Sequence, residues 1–145
     1  MIARVMYLLL VSIFAFMSEN CAQEVQLKIQ NIQTDKGVLC VAVFDSEENF
    51  KREKTLMQMR YDKTAMSNHE MLIVFQLQPG NYGISVLDDE NGDDKMNWNL
   101  FGIPREGFGF ADYYHTGLKK PHFQNFKFDI PFGHKKSMIV KMKYF

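Results

Sequence analysis

A chain of 145 residues is long enough to bury one hydrophobic core and short enough to form a single domain. Its 17 Lys and Arg residues balance 17 Asp and Glu residues, so the formal net charge is zero. The sequence has no basic stripe and no arginine cluster. This composition argues against nucleic acid as a partner.

The N-terminal residues predict a secretory signal peptide. Arg4 precedes an apolar run over residues 5–17, and a short polar stretch follows that run. The run is too short for a comfortable membrane span. We therefore predict a signal peptide over residues 1–22 and a mature domain over residues 23–145 without a transmembrane span. The expected location is secreted, periplasmic or at the cell surface, and the alternative is an anchoring helix that the mature protein retains.

Two cysteines bear on this interpretation. Cys21 allows a lipoprotein in which cleavage exposes a cysteine for acylation, but Glu19 and Asn20 before it match that processing poorly. Cleavage after residue 22 or 23 would leave a mature chain of roughly 122 residues with Cys40 as its one cysteine. No internal disulfide is then expected. Cys40 lies in an apolar run, which predicts a buried, unreactive thiol rather than a catalytic one.

Much of the remaining chain has the two-residue period of β-strands. Residues 38–44 are apolar on both faces, which predicts a central strand. Four other stretches alternate apolar and polar residues, and their predicted apolar faces are Val25, Leu27 and Ile29; Met71, Ile73, Phe75 and Leu77; Tyr82, Ile84 and Val86; and Met138, Val140, Met142 and Tyr144. A further run places Phe126, Phe128, Ile130 and Phe132 at spacings of two.

No long helix is evident between these strands. Ser46 followed by Glu47 and Glu48 is a typical helix start, yet the segment up to Met59 lacks a clean apolar stripe. We expect a short helix or loop insertion around residues 46–60. The predicted fold is therefore all-β, as a single antiparallel β-sandwich.

An acidic stretch follows the strand that begins near Tyr82. Five carboxylates fall within residues 88–94, where mutual repulsion raises their pKa values unless a cation or water screens them. Because the whole chain is balanced in charge, this stretch is a local concentration. Calcium prefers oxygen ligands of this kind. The alternatives are a solvated turn built on Asn91 and Gly92, or another metal.

The spacing suggests a specific set of calcium ligands. Asp89, Asn91, Asp93, the Lys95 carbonyl and Asn97 fit the first, third, fifth, seventh and ninth positions of an EF-hand loop. The glycine stands at the fourth position instead of the sixth, and Leu100 replaces the bidentate glutamate. A distant residue must then supply that carboxylate. Glu106 or Asp112 is the expected source, with Asp88 and Asp94 as further candidates.

Aromatic and glycine residues follow the acidic loop. We interpret Trp98, Phe108 and Tyr113 as a possible stacking platform for a carbohydrate or a protein ligand at the loop end of the sandwich. The alternative is that these rings cover the open end of the core and are mostly buried.

Four ordered motifs of this chain resemble one known family. They are Pro79-Gly80-Asn81-Tyr82, Asp89-Glu90-Asn91-Gly92-Asp93, Phe101-Gly102-Ile103-Pro104 and Glu106-Gly107-Phe108-Gly109-Phe110. The chain from about Gly37 onwards is similar to the bacterial domain-of-unknown-function family 2141, and its hairpin resembles those of transthyretin-like and immunoglobulin-like sandwiches. The resemblance implies a secreted bacterial β-sandwich and no established activity. The family tends to have Asn-Gly-Asn and a later Asp where this chain has Asn91-Gly92-Asp93 and Asn97.

These observations favour an exported, non-catalytic binding or accessory module of the cell envelope with a calcium ion in residues 89–97. The rival interpretations are a secreted hydrolase that uses Asp93, Glu106 or His115, and a purely structural envelope protein. No nucleophile elbow and no zinc-like histidine spacing is present, so no catalytic residue is assigned.

Overall fold

The computed structural model describes residues 22–145 as two packed β-sheets. The predicted signal segment before residue 22, including Cys21, lies outside the described residues. The strands are β1 (Gln23–Gln30), β2 (Val38–Phe44), β3 (Met57–Asp62), β4 (Glu70–Leu77), β5 (Gly80–Asp89), β6 (Gly107–Phe110), β7 (Lys127–Ile130) and β8 (Lys136–Lys141). Helix α1 (Glu47–Lys51) and a 3-10 turn (Phe123–Asn125) complete the fold. The predicted all-β sandwich is confirmed.

One sheet has three strands in the order β4-β1-β8, and the other has the order β3-β2-β5-β6. Strand β7 pairs with the first half of β5 and β6 pairs with its second half. All these strand pairs are antiparallel except β1 with β8, which run parallel. The apolar strand β2 lies between β3 and β5, as its sequence predicts.

The main core lies between the two sheets. Its side chains come from the predicted apolar faces, because alternate residues of a strand point to the same side. The fully buried residues include Leu27, Ile29, Leu39, Val41, Ile84 and Val140. Tyr144 is only partly buried against this core. Sandwich packing thus follows directly from the two-residue period.

A second aromatic cluster covers part of the outer face of the larger sheet. It consists of Phe44, Phe50, Phe110, Phe123 and Phe126. The rings of Phe50 and Phe126 meet edge to face, with centroids 4.9 Å apart. The short helix α1 places Phe50 in this cluster. Ser46 caps the helix by accepting a hydrogen bond from the Asn49 amide at 3.2 Å.

The region around residues 46–60 differs from the prediction in part. Helix α1 lies where expected, but Met57 and Met59 belong to edge strand β3 and pack against the main core. Phe132 is 68% exposed and lies beyond the end of β7, so the strand within this run of alternate apolar residues ends at Ile130. Within residues 22–145, no helix is long and apolar enough to cross a membrane.

A buried ion pair joins the ends of several strands. Lys63, just after β3, contacts the Asp88 carboxylate at the end of β5, and both side chains are fully buried. The Lys63 ammonium also donates to the carbonyls of Thr34 at 3.0 Å and Lys36 at 2.6 Å. The second oxygen of Asp88 accepts a 2.6 Å hydrogen bond from the Tyr144 hydroxyl. This network ties the β1–β2 connection and the C-terminal segment to strand β5.

Removing the lysine should be strongly destabilising. We expect Lys63→Met to lower the free energy of unfolding by about 3–5 kcal/mol, because it leaves a buried carboxylate without its cation. The exposed Lys36→Met is the matched control, with a change within about 0.5 kcal/mol. Urea denaturation measures both. The double variant Lys63→Met with Asp88→Asn should recover part of the loss, and a strictly additive result would contradict the role of this pair.

Candidate metal centre and adjacent cavity

The acidic stretch begins with two adjacent carboxylates that point in opposite directions. Asp88 and Asp89 are the last residues of β5, and both are fully buried. Because neighbouring side chains alternate across a strand, Asp88 turns toward Lys63 on the core side. Asp89 turns toward the outer face, where it lies 3.8 Å from the Cys40 sulfur. Asp88 is therefore neutralised separately from the rest of the loop.

Asp89 holds the loop in shape. One carboxylate oxygen accepts hydrogen bonds from the amides of Gly92 at 2.7 Å and Asp93 at 3.2 Å, and the other accepts from the Asp94 amide at 2.9 Å. Gly92 has a φ of 77°, a conformation that glycine adopts without strain. The loop thus wraps its backbone donors around one buried carboxylate, which satisfies the hydrogen-bonding capacity of that side chain.

The side-chain amide of Asn97 lies within a ring of oxygen atoms. Its nitrogen is 2.9 Å from the Asp93 carboxylate, 3.2 Å from the Lys95 carbonyl and 3.2 Å from the Glu106 carboxylate. An amide nitrogen carries two hydrogens, so three acceptors exceed what it can satisfy. Two of these acceptors carry formal charge. Oxygen atoms arranged in this way suit a cation better than they suit a neutral amide.

Glu106 adds a second sign of an incomplete site. Its side chain is buried, and one carboxylate oxygen has no hydrogen-bond partner among residues 22–145. The other oxygen accepts from the Asn97 backbone amide at 3.1 Å. Ligand oxygens of Asp89, Asp93 and Glu106 all lie within 4.8 Å of one another. A buried, unpartnered carboxylate oxygen is costly, and a cation at the centre of the three acids would satisfy it.

Asp93 is the exposed member of this group. Hydrogen bonds from the Asn97 side chain and from the Lys95 backbone amide lower its pKa below the usual value. The side-chain nitrogen of Asn91 also donates to the Asp93 carboxylate at 3.2 Å. The side-chain oxygen of Asn91 accepts from the Asp93 backbone amide at 3.0 Å. All six predicted metal-site residues thus belong to one connected hydrogen-bonded loop, and the polypeptide already favours the ionised form of Asp93.

The alternative carboxylates have other partners, although Asp94 still lies close to Asp89, with ligand atoms of the two acids and of Cys40 within 4.8 Å of one another. Asp94 pairs with Arg60, and Asp112 accepts a 2.9 Å hydrogen bond from the Ile139 amide. Leu100, at the EF-hand glutamate position, is fully exposed at the tip of a small hairpin. That hairpin closes through the bond from the Arg105 amide to the Asn97 carbonyl at 2.8 Å. Hairpin closure, rather than loop spacing, brings Glu106 next to the other acids.

A cavity of about 490 Å³ lies beside this loop, on the outer face of the larger sheet. Its lining on the sheet includes the small residues Cys40, Ala42 and Ser85, beside the aromatic cluster. Ala42 and Ser85 are direct cross-strand partners and both are half-buried. Small side chains at the centre of the sheet face, next to bulky phenylalanines, leave this space unfilled.

The predicted stacking residues divide between the cavity and its surroundings. Trp98 is 52% exposed and lines the cavity together with the half-buried Phe108. Tyr113 lies outside the lining and packs against Phe110, with ring centroids 6.4 Å apart. His115 lines the cavity with both ring nitrogens engaged, at 2.6 Å from the Lys119 carbonyl and 3.5 Å from the Tyr113 hydroxyl.

The Cys40 thiol is buried, but it faces the acidic loop and the cavity instead of the main core. Its sulfur lies 3.4 Å from the Asp94 carboxylate. Burial raises the pKa of Cys40 to about 12, and the hydrogen bond to Asp94 and the charge of Asp89 act in the same direction. A thiol in this environment stays protonated at neutral pH, so it is a poor nucleophile.

Several residues that build this region carry no signal in the sequence. Lys63 is one charged residue among 17 lysines and arginines, and nothing in its neighbours marks it as buried. The pairing of Ala42 with Ser85 depends on strand register. Ala42, a small residue within the otherwise bulky apolar strand β2, is the one feature of the sequence that indicates a cavity.

Alkylation should report the state of Cys40. We expect iodoacetamide to label the native thiol at pH 8 on the order of 10³ times more slowly than the urea-unfolded chain, because both the raised pKa and burial suppress reaction. Mass spectrometry measures the labelled fraction. Asp94→Asn should accelerate labelling, since it removes one negative charge beside the sulfur, and Asp129→Asn on β7 is the control. Equal rates in native and unfolded protein would contradict this environment.

Comparison with known proteins gives a family without an activity. No curated protein and no solved structure matches the chain significantly. One family model matches residues 27–139, most of the chain, and it is described as "Uncharacterized protein conserved in bacteria (DUF2141)". The match covers the second half of β1, all of β2 to β7 and most of β8, and it includes the acidic loop and Glu106. The chain therefore belongs to this uncharacterised bacterial family, as its motifs predict.

Proposed function

We propose that this protein is an exported, non-catalytic β-sandwich module whose acidic loop binds one calcium ion. The observation that carries the calcium proposal is the buried Glu106 carboxylate, which has one oxygen without a hydrogen-bond partner among the described residues and which lies close to the carboxylates of Asp89 and Asp93. Three acids at such short separations carry a net charge that the loop itself does not neutralise. Calcium supplies two positive charges and accepts the irregular oxygen geometry of a loop.

The expected ligands are carboxylate oxygens of Asp89, Asp93 and Glu106, the Lys95 carbonyl, and the Asn97 side chain. Asn97 contributes its oxygen if its amide turns over, because the nitrogen now occupies the position nearest to the other ligands. Asn91 supports the Asp93 carboxylate through its own hydrogen bond. All these groups are oxygen donors, which favours calcium over zinc or copper.

The hydrolase alternative receives less support from the geometry. Asp93 and Glu106 belong to the loop cluster and do not line the cavity, whereas His115 lines the cavity. The His115 ring is also held by local hydrogen bonds at both nitrogens. A hydrolytic site needs its acid, base and substrate pocket in one place. A non-catalytic role is therefore the better proposal.

Export and a place in the cell envelope remain part of the proposal on sequence grounds. The arginine, apolar run and polar stretch over residues 1–22 have the form of a secretory signal. Extracellular and periplasmic calcium modules bind weakly, with dissociation constants of about 10⁻⁴ to 10⁻³ M. A site with one preformed carboxylate cluster suits such a compartment, where calcium would be bound continuously and would stabilise the fold.

Thermal unfolding tests the metal site directly. At a hundredfold excess over the dissociation constant, calcium should add about 2.7 kcal/mol to the free energy of unfolding, which is roughly 10 °C in melting temperature. Asp93→Asn should remove most of this shift, and Asp129→Asn should retain it. Magnesium should give a smaller shift because it requires a stricter octahedral geometry. The absence of a shift at millimolar calcium would overturn the metal proposal.

The effect of Glu106→Gln on the melting temperature should have opposite signs with and without calcium. In chelator we expect this variant to melt at or above the wild-type temperature, because it removes a buried charge next to two other carboxylates and offers a donor to them. In calcium it should melt below the wild type, since a ligand is lost. Differential scanning calorimetry in both buffers measures the two values. A variant that is equally destabilised in both would indicate a purely structural role for Glu106.

A further inference from the structure

We propose that the cavity on the outer face of the larger sheet binds a small apolar organic anion. The cavity is separate from the main core and is lined by strands β2, β3, β5 and β6, by helix α1 and the residues that follow it, and by the segments on either side of β6. This inference specifies the ligand of the proposed binding module. Its own site does not require the calcium ion, since Asp89, Asp93 and Glu106 are not among the lining residues.

The size and the walls of the cavity fit a compact hydrophobic molecule. A volume of about 490 Å³ falls within the range of about 300–1,000 Å³ that is typical of small-molecule sites. Six rings border it, from Phe44, Phe50, Trp98, Phe108, Phe110 and His115. The sheet face beneath is made of small residues, with Ala42 opposite Ser85. A ligand could therefore lie flat on the sheet with rings around its edge.

The charged residues around the cavity favour an anion over a cation. Its two acidic residues are already paired, Asp94 with Arg60 and Glu53 with Lys120. Lys95 and Lys119 also line the cavity, and neither forms an ion pair with any described residue.

Two lysines without ion pairs beside an apolar cavity can hold one carboxylate or sulfonate through charge-assisted hydrogen bonds. The apolar part of the ligand would supply most of the binding free energy through burial against the rings. The anionic group would fix its orientation, with the charged end at Lys95 and Lys119. The ligand class is thus a hydrophobic monoanion.

A pair of matched probes tests this assignment. We would titrate 4-cyclohexylbutyrate and its neutral analogue 4-cyclohexylbutanol into the protein by calorimetry, with the fluorescence of Trp98, the one tryptophan in the chain, as a second readout. Each titration is run once with excess calcium and once with chelator. If the acidic loop does not bind calcium, the titrations in chelator still show whether the cavity binds the probes.

We expect saturable one-to-one binding of the carboxylate and weaker binding of the alcohol. Replacing both Lys95 and Lys119 by Gln should weaken the carboxylate by about five- to tenfold and leave the alcohol unchanged. Lys127→Gln on β7, an exposed lysine away from the cavity, is the control and should change neither. Ala42→Phe should abolish binding of both probes by filling the space above the sheet, while thermal melting checks that this variant folds.

The proposal is overturned if neither probe binds saturably in either buffer, or if Ala42→Phe folds and binds as the wild type does. Equal binding of acid and alcohol, together with no effect of the double lysine variant, would overturn the anionic part. Should Ala42→Phe fail to fold, the double lysine variant decides the result by its selective effect on the carboxylate.

Discussion

The arrangement of this molecule depends on two neighbouring carboxylates at the end of β5 that face opposite sides of one sheet. Strand geometry sends Asp88 inward to Lys63 and Tyr144, and it sends Asp89 outward to the backbone amides of the following loop. Both are buried, so each needs its own partners. The inward pair fastens the ends of several strands, while the outward carboxylate organises the loop. Burial also raises the pKa of Tyr144, with the hydrogen bond to Asp88 adding to the shift, so the hydroxyl remains a donor over the physiological range.

Asp89 is held in place by backbone donors, so the positions of Asp93 and Glu106 relative to it determine what the loop can bind. Asp93 and Glu106 approach each other only because a short hairpin returns the chain between them, closed by the Arg105 and Asn97 backbones. The hairpin thereby brings the acids together, and Trp98 near its start forms part of one wall of the cavity. Calcium binding at the cluster would order the same segment that borders the cavity. The two proposed sites are therefore neighbours that share a loop and use different side chains of it.

Much of the sandwich could be predicted from sequence because a two-residue period records which side of a strand is buried. Met71, Ile73, Phe75 and Leu77 are all in the core, as their spacing requires. Strand β3 was missed because its methionines alternate with polar residues over a short edge segment, which resembles a loop as much as a strand. The predicted metal residues include Glu106, whose place in the cluster depends on the hairpin. Trp98 and Phe108 line the same cavity, whereas Tyr113 does not. The spacing of these residues along the chain could not predict this difference.

The sequence by itself determined the all-β class, the central position of β2, the cap of helix α1 and the local concentration of acids, since each depends on residues close together in the chain. Only the tertiary structure decided that Asp88 is paired with Lys63 and that Asp89, Asp93 and Glu106 cluster together. The partner of Asp88 is 25 residues away at Lys63, and the cavity arises where Ala42 meets Ser85 across two strands. Such contacts follow from strand register and sheet packing. Because register and packing depend on many residues along the whole chain, no single residue shows them in the sequence.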